Sequence, residues 1–582
     1  MALDNADIAA VLSRIAVFSE LAGENPFKAR AFSSVARAIE KHPERVEDLA
    51  AQGRLREIHG VGKSIEEVVA DLLVTGRSGL LEDLMGRFPA GIQDLLSVSG
   101  MGPKRVKAVH ENLGVSTIGE LEYACRENRL VALDGFGEKT QANILKAIEF
   151  RKRSQDSRLF SDALSIGEDL VALAVKSGHF RHVQIAGSLR RGKSSFKDID
   201  ILAILAPGTG TDGARDFLAS LSDPDGIIGA GDTKVSIHRM GLQVDFRMVS
   251  AGSHASALQH FTGSREHNTL LRSRAKARGL KMNEYGIFRD DGTDIACPDE
   301  EAVYRAVGLG WIPPELREAD GEMEAAEAGT LPVLVEAGDL RGMVHVHTDW
   351  SDGTRSVEEM ARECRKRGFS WMCLSDHSRT ASYAGGLDAE RLVEQAEEVK
   401  ALNRKLSPFR IFHGVESDIL ADGSLDYPDG VLDGLDFVIG SIHSKLTMGK
   451  EEATKRLLSA IANPRLTVLG HASGRLLLAR EGYPFDEAAV LDALEAHGTV
   501  LEHNCNPHRL DPDWSLLRRA ARRGIPISID PDAHDPEGLD DMRFGLTMAR
   551  KAWCTPERIF NCMEVEEADA YFRKRREAFG TS

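Results

Sequence analysis

Along the first 150 residues, apolar positions recur at three- and four-residue spacing, as in "VEDLAAQGRLREIHG" from Val46 and "SIEEVVADLL" from Ser64. That period predicts helices that bury one face. Between 160 and 250 the pattern changes to short apolar or alternating runs, "HVQIAGS", "DIDILAIL", "TKVSIHRM" and "LQVDFRMV", which read as strands. Residues 251–317 return to mixed helix and hairpin and end in "GWIPPELRE". The Glu/Ala-rich stretch 318–337 then reads as a linker, in part helical. From about Asp339, strands alternate with helices: "MVHVHT", "SWMCLSD", "IFHGVES", "DFVIGSIHS", "LTVLGHAS", "TVLEHN" and "PISIDPDAH". Seven β-then-α units predict a parallel barrel, with its chemistry at the C-terminal strand ends.

Three segments of the helical part resemble one another: "IHGVGKSIEEVVADLL", "VSGMGPKRVKAVHENL" and "LDGFGEKTQANILKAI". Each sets a Gly-x-Gly pair, Gly60/Gly62, Gly100/Gly102 or Gly135/Gly137, before a helix. Such a turn leaves backbone N–H groups free at the positive end of the helix dipole, where they bind phosphate without reading bases. The three copies resemble helix-hairpin-helix motifs.

Charge sharpens the division. The net charge of −17 at first argues against nucleic acid, but residues 1–317 hold 41 Lys/Arg against 43 Asp/Glu. Subtracting these from totals of 73 and 90 leaves 32 against 47 in residues 318–582, so the acidity belongs to the second half. The first half can present basic faces to phosphates. Seven scattered cysteines without a C-x-x-C pair fit a reducing cytosol. No apolar run is long enough to span a bilayer, and "MALDNADIAAVLSRI" lacks the layout of a secretory signal, so a cytoplasmic, non-membrane protein is expected.

In "GSLRRGKSSFKDID", Asp198 and Asp200 lie two apart on a strand and share a face. Asp245 in "LQVDFRM" adds a third carboxylate. Adjacent carboxylates repel unless a dication lies between them, and three can hold two Mg²⁺ or Mn²⁺ ions for a phosphoryl transfer. Asp245 is expected also to activate the attacking hydroxyl. Gly187 and Ser188 can bring donors to a triphosphate, with Arg190 or Arg191 neutralising pyrophosphate.

Ten of 19 histidines follow residue 340, and six sit at strand ends: His345, His347, His377, His443, His471 and His534. With Asp352, Glu416 and Asp532 they make nine N/O ligands, enough for up to three Mn²⁺, Zn²⁺ or Fe²⁺ ions. His413, His497, His503 and His508 lack this pattern and read as structural or supporting.

"HFTGSREHNTLLRSRAKARGLKMNEYGIF", together with "GSLRRG", "DID" and Asp245, resembles family X DNA polymerases over residues 1–317. The resemblance implies that Ser188 and Arg191 hold the triphosphate, that Phe261 and Gly263 pack on the incoming sugar, and that Asn268 and Arg272 touch the base pair. His260 stands where some members have tyrosine, which leaves discrimination against ribonucleotides open. Val68 falls at the family's Schiff-base lysine and Lys63 points elsewhere, so lyase chemistry is expected to be weak or absent. The histidine set resembles the PHP (polymerase and histidinol phosphatase) domain, a distorted seven-stranded β/α barrel with a trinuclear site. That resemblance implies His345, His347, Glu416 and Asp532 on one ion, with Glu416 shared toward His443 and His471. It assigns Asp352, His377 and His534 to a third ion. Arg475 is the candidate for a substrate phosphate.

The expected architecture is multidomain α/β. A helical DNA-end-binding domain spans 1–90 and a fingers-like helical domain 91–155. A nucleotidyltransferase palm with a mixed sheet spans 156–250, a thumb-like nucleotide-selecting domain 251–317, a linker 318–337 and the PHP barrel 338–575. The expected function is gap-filling DNA repair synthesis on gapped or nicked DNA with dNTPs. It is joined to a 3′–5′ exonuclease, with abasic-site or 3′-phosphatase cleavage as alternatives, in a monomer. A template-independent nucleotidyltransferase, and a DNA-end-binding module that serves the barrel, are the rival readings.

Overall fold

A computed structural model describes residues 5–577 apart from 41, 43, 90, 127, 128, 132, 155 and 156. The chain divides into two compact units, residues 1–155 and 156–582.

The first unit is helical. Ile8, Leu12, Ile15 and Phe18 line one face of helix Asn5–Leu21 and meet Phe32, Val35 and Ile39 of helix Pro26–Glu40. One apolar core runs from Ile8 to Ile148, so the expected division into 1–90 and 91–155 is not a break in packing. The two expected boundary positions, 90 and 155, themselves lie outside the described residues. Gly60, Gly100 and Gly135 take φ of 88°, 88° and 79°, a conformation that favours glycine. Each Gly-x-Gly turn then delivers its chain into a helix: Lys63–Thr75, Pro103–Leu113 or Glu138–Ser154.

The second unit begins with a five-stranded mixed sheet. Its strand order is Phe180–Ile185, Asp198–Leu205, Leu242–Met248, Lys234–Arg239, Ile227–Ala230, with only the second and third parallel. A thumb-like part follows, with helices His254–Thr262, Arg265–Ala277 and Glu300–Ala306 and a three-stranded hairpin sheet. The stretch 318–337 is not the expected linker. Its helix Glu322–Ala328 puts Met323 and Ala326 into the thumb core, and Leu334 joins them. Glu322 is fully buried, accepting from the N–H groups of Ala319 and Asp320 while His267 Nδ1 lies 2.7 Å away. Glu/Ala composition concealed this, because a buried carboxylate is stable where each lone pair meets a donor.

Seven parallel strands, from Gly342–Val346 to Ile527–Asp530, follow one another around the barrel in sequence order. The first and last approach through a bridge from Val346 to Ala533, with His347 N–H donating to Ala533 O and Ala533 N–H to His345 O. Trp371, Phe412, Phe437, Phe560 and Phe572 fill one apolar cluster, and helix Val565–Glu577 contributes Phe572 to it. Burial of each such ring is worth about 1.5–3 kcal/mol.

Barrel and palm share a core. Phe544 and Met548 of helix Met542–Lys551, with Leu510, pack among the palm residues Phe160, Phe196 and Ile199. Palm, thumb and barrel therefore form one packed unit. Among the described residues no helix is long and apolar enough to cross a membrane.

Candidate functional site

On the palm sheet Asp200 lies directly opposite Asp245 in the parallel register, with Asp198 two residues back at the exposed strand end. Gly187 takes φ +63° over Asp200, and a Cβ there would meet Asp200 Oδ2 at 2.4 Å, so only glycine lets the turn sit this close. Burial, then the Asp198 charge, pushes Asp200 up to about 6. Asp245 stays below the usual carboxylate range: burial raises it, but Lys234 Nζ at 2.7 Å and Gln243 Nε2 at 3.1 Å prevail. Among the described residues, every set of three or more ligand atoms within 4.8 Å lies in the barrel. The palm carboxylates share a face without closing to that distance. Burial together with the Asp198 charge disfavours the Asp200 carboxylate, a condition that a dication relieves, so the donor set fits hard cations.

The nucleotide-contacting expectations fare unevenly. Ser188 is half-buried in the turn beside Gly187, Phe261 lies 4.1 Å beneath the Arg247 guanidinium, and Gly263 follows Phe261 at φ +71°. Arg272 is exposed, with Nε donating to Asn268 O. Asn268, by contrast, uses its amide internally: Nδ2 donates to His260 O at 2.7 Å and Oδ1 accepts from Gln259 Nε2 at 2.8 Å. Arg191 is buried; it donates to Thr262 O and, through Nε at 3.2 Å, to Glu318. Arg190 is engaged within the protein. Both its terminal nitrogens reach Glu300, at 2.9 and 2.7 Å, and Arg317 joins at 2.8 Å. Burial would raise Glu300, but the two arginines hold it down at about 2. In the first unit all six turn glycines are exposed, and a Cβ on Gly62, Gly102, Gly135 or Gly137 would meet nothing within 4 Å. Val68 is half-buried against the apolar core, while Lys63 is exposed and 3.9 Å from Glu67.

In the barrel the nine expected ligands converge. His345, His347 and Asp532 form one set, His377, Glu416 and His443 a second, and His347, Asp352, His377 and His534 a third. Glu416 is the hub, with His377 Nδ1 at 2.8 Å, His471 Nε2 at 3.0 Å, and His345 and His443 Nε2 each at 3.3 Å. His377 therefore reaches Glu416 as well as its expected partner Asp352, at 3.6 Å. His345, His471 and Asp532 have φ of 61°, 22° and 53°, strain that the surrounding barrel sustains. His345 Nε2 is buried 3.3 Å from Glu416 and 3.5 Å from Asp532 without a hydrogen bond to either. His347 Nε2 is buried 3.1 Å from Asp532 and 3.7 Å from Glu416, again without a hydrogen bond to either. Orphaned imidazole nitrogens facing carboxylates fit borderline divalent ions bound by N and O. Burial and the facing His534 and His377 push His347 down to about 3. Burial opposes charge on His443, yet Glu416 and Asp418 raise it to about 10; His534 rises to about 9 against burial through Asp352 and Asp532.

Supporting groups escaped the sequence reading. Glu502 accepts from His345 Nδ1–H and from the His471 N–H, and Asp418 pairs with His443 Nδ1 at 2.6 Å. Both orient imidazoles through the ring nitrogen opposite the site. Their signal was present, since Asp418 is two residues from Glu416 and Glu502 ends "TVLE". Asn504 Nδ2 donates to Asp532 Oδ2 at 3.0 Å. Arg475 uses its donors within the protein. Its guanidinium donates to Arg509 O and Leu510 O and lies 3.4 Å from Asp513. Arg509, half-buried with Nε 3.8 Å from Asp532, is the cation beside the ligands. His413 is structural, 3.0 Å from Gln395 and pushed down to about 4 by burial.

Family models match in the order of these parts: a helix-hairpin-helix domain at 3–78, a SAM-like helix-hairpin-helix tandem at 92–149, a DNA polymerase beta thumb at 257–318 and a PHP domain at 344–503. A DNA polymerase/3′-5′ exonuclease PolX of Bacillus subtilis (strain 168) is 37% identical over 573 residues, 98% of this chain and 99% of that protein. A probable phosphatase of Thermoanaerobacter sp. (strain X514) is 28% identical over 247 residues, 40% of this chain and 96% of its own length. Another, of Syntrophotalea carbinolica, is 27% identical over 228 residues, 38% and 90%. With whole-length kinship to PolX joined to an N-terminal hairpin array, a polymerase thumb and a PHP barrel in which histidines and carboxylates converge, this chain belongs to the bacterial family X DNA polymerases that carry a C-terminal PHP domain.

Proposed function

We propose that the protein is a DNA repair polymerase that fills short gaps by templated dNTP addition, and that its barrel is a 3′–5′ exonuclease. One observation carries the reading: a single packed unit holds an all-carboxylate set on the palm and a nitrogen-rich set in the barrel, two donor chemistries suited to two centres. Asp198, Asp200 and Asp245 would hold two Mg²⁺ or Mn²⁺ ions, and the nine barrel ligands up to three Mn²⁺, Zn²⁺ or Fe²⁺. Divalent ions at either place supply Lewis acidity to a phosphoester and acidify water.

The protein's own groups do the rest. Gly187 and Ser188 bring the turn against Asp200, and Arg191 meets the triphosphate. Phe261 and Gly263 form the platform for the sugar, and Arg272 reaches the base pair. Asn268 acts from within, fixing the His260–Gln259 segment behind that platform. In the first unit, the open Gly-x-Gly turns grip DNA phosphates near a gap or nick. Glu502 and Asp418 hold the imidazole ligands in register, and Arg509 neutralises phosphate beside Asp532. Trimming a 3′ end in the barrel would supply the palm with an extendable primer. A cytoplasmic monomer without appreciable lyase chemistry completes the reading.

The test uses one labelled gapped duplex with Mn²⁺, with and without dNTPs. Asp200→Ala abolishes extension and spares shortening, and His345→Ala does the reverse. Loss of both activities in either variant overturns the division into two centres. Equal extension of single-stranded and gapped primers would instead make the palm template-independent.

A further inference from the structure

Helix Met542–Lys551 of the barrel ends on a lysine that the barrel centre does not use. Lys551 is 2% exposed and donates to Arg191 O at 3.2 Å, to Glu315 O at 3.5 Å and to Glu318 Oε1 at 2.5 Å. Its ammonium also lies 5.1 Å from the Trp514 ring. All three acceptors belong to the polymerase part. The same helix seats the nucleotide turn: Thr547 Cγ2 comes so near Gly192 that a Cβ there would lie 2.3 Å away, and Arg550 pairs with Glu315 at 2.6 Å.

A buried ammonium is costly, and methionine would fill the same space without that cost. Its partner Glu318 explains its presence. Glu318 accepts both from Lys551 and from Arg191 Nε, so two cations share one carboxylate and the trio keeps a net positive charge. Without Lys551, Glu318 would face Arg191 alone and neutralise it. The Lys551 bond to Arg191 O also fixes the turn from which that guanidinium projects.

We propose that Lys551 is a positioning residue for nucleotide addition, a barrel lysine that engages Glu318 so that Arg191 keeps its charge for the dNTP triphosphate. This rests on the reading of Arg191 as a triphosphate ligand. The barrel then serves synthesis as well as trimming, through one side chain and apart from its metal centre.

Steady-state gap filling by the full-length protein tests it. Lys551→Met raises KM for dNTP about fivefold, with kcat and exonuclease rate unchanged and with inhibition by dNMP, which lacks the triphosphate, unaltered. Lys551→Arg stays near wild type. The double variant Glu318→Gln/Lys551→Met returns KM to near the wild-type value, because the competing carboxylate has gone with its partner. A double variant that keeps the raised KM, or a Lys551→Met protein whose dNMP inhibition weakens equally, makes Lys551 a structural anchor and overturns the proposal. Arg191→Ala separates the two levels. If it leaves KM for dNTP unchanged, the triphosphate reading itself falls; if it raises KM while Lys551→Met does not, only the lysine's part falls.

Discussion

Glu502→Gln is the sharpest probe of the barrel centre, because it changes one atom of a group that should touch no metal. Glu502 is fully buried, and its two oxygens accept from two donors, His345 Nδ1–H and the His471 N–H. Glutamine matches the shape but has one acceptor oxygen, so its NH₂ must face one of those donors. Either the His345 ring turns or the His471 backbone shifts, and each carries an imidazole toward Glu416. Loss of such a supporting carboxylate costs 10–100-fold in metal affinity, about 1.4–2.7 kcal/mol. Isothermal titration of metal-stripped protein with Mn²⁺ reads this directly, and exonuclease assays across Mn²⁺ concentrations read its consequence. Activity should fall at limiting Mn²⁺ and recover at saturation, while gap filling, which depends on the palm, is unchanged. Unaltered Mn²⁺ affinity would refute the orienting role, and loss of gap filling would show that the substitution disturbs the shared core.

Because burial and Asp198 hold Asp200 at about 6, its ionisation is disfavoured in the metal-free fold. Its folded value lies above the unfolded one near 3.9, so metal-free stability declines as pH rises from about 4 to 6. Mg²⁺ needs the ionised form, so the Mg²⁺ required for half-maximal gap filling should rise about fivefold from pH 6 to pH 5, and a flat profile would count against it. In the barrel, His443 and His534 carry protons at pH 7.5 in the metal-free protein, with values near 10 and 9. Burial opposes charge on His345, yet Glu502, Asp532 and Glu416 likewise raise it. Metal uptake should therefore release at least about two protons, seen as a binding enthalpy that varies with the buffer's ionisation enthalpy; no variation would contradict the assignment. Arg475→Ala should lower stability by about 1–3 kcal/mol through its lost carbonyl contacts, read as a Tm shift, with exonuclease KM unchanged. Arg509→Ala should instead raise that KM with little change in Tm.

Much of the molecule is legible in local pattern. Period 3.6 marks the first helices, three Gly-x-Gly turns mark the hairpins, and "DID" and the histidine-bearing strand ends mark both centres. A strand's period of two places Asp198 with Asp200, and His345 with His347, before any tertiary contact is known. The reading failed at long-range pairs. Arg475 looked free in "GHASGR", yet carbonyls 34 and 35 residues away take its donors. The stretch 318–337 read as a linker, yet its Glu322 is buried against His267, 55 residues earlier.

Local chemistry in the chain determined which elements form, which residue types gather at their ends, and hence the class of reaction. Spacing and periodicity are short-range properties, and catalytic metal chemistry advertises itself in them. Tertiary structure alone decided which charges are spoken for: that Arg191 and Lys551 share Glu318, that Glu502 braces His345, and that a barrel helix completes the palm core. Those outcomes depend on burial and on partners far apart in sequence, where the cost of an unpaired charge selects one arrangement from many that the same residues would permit in water.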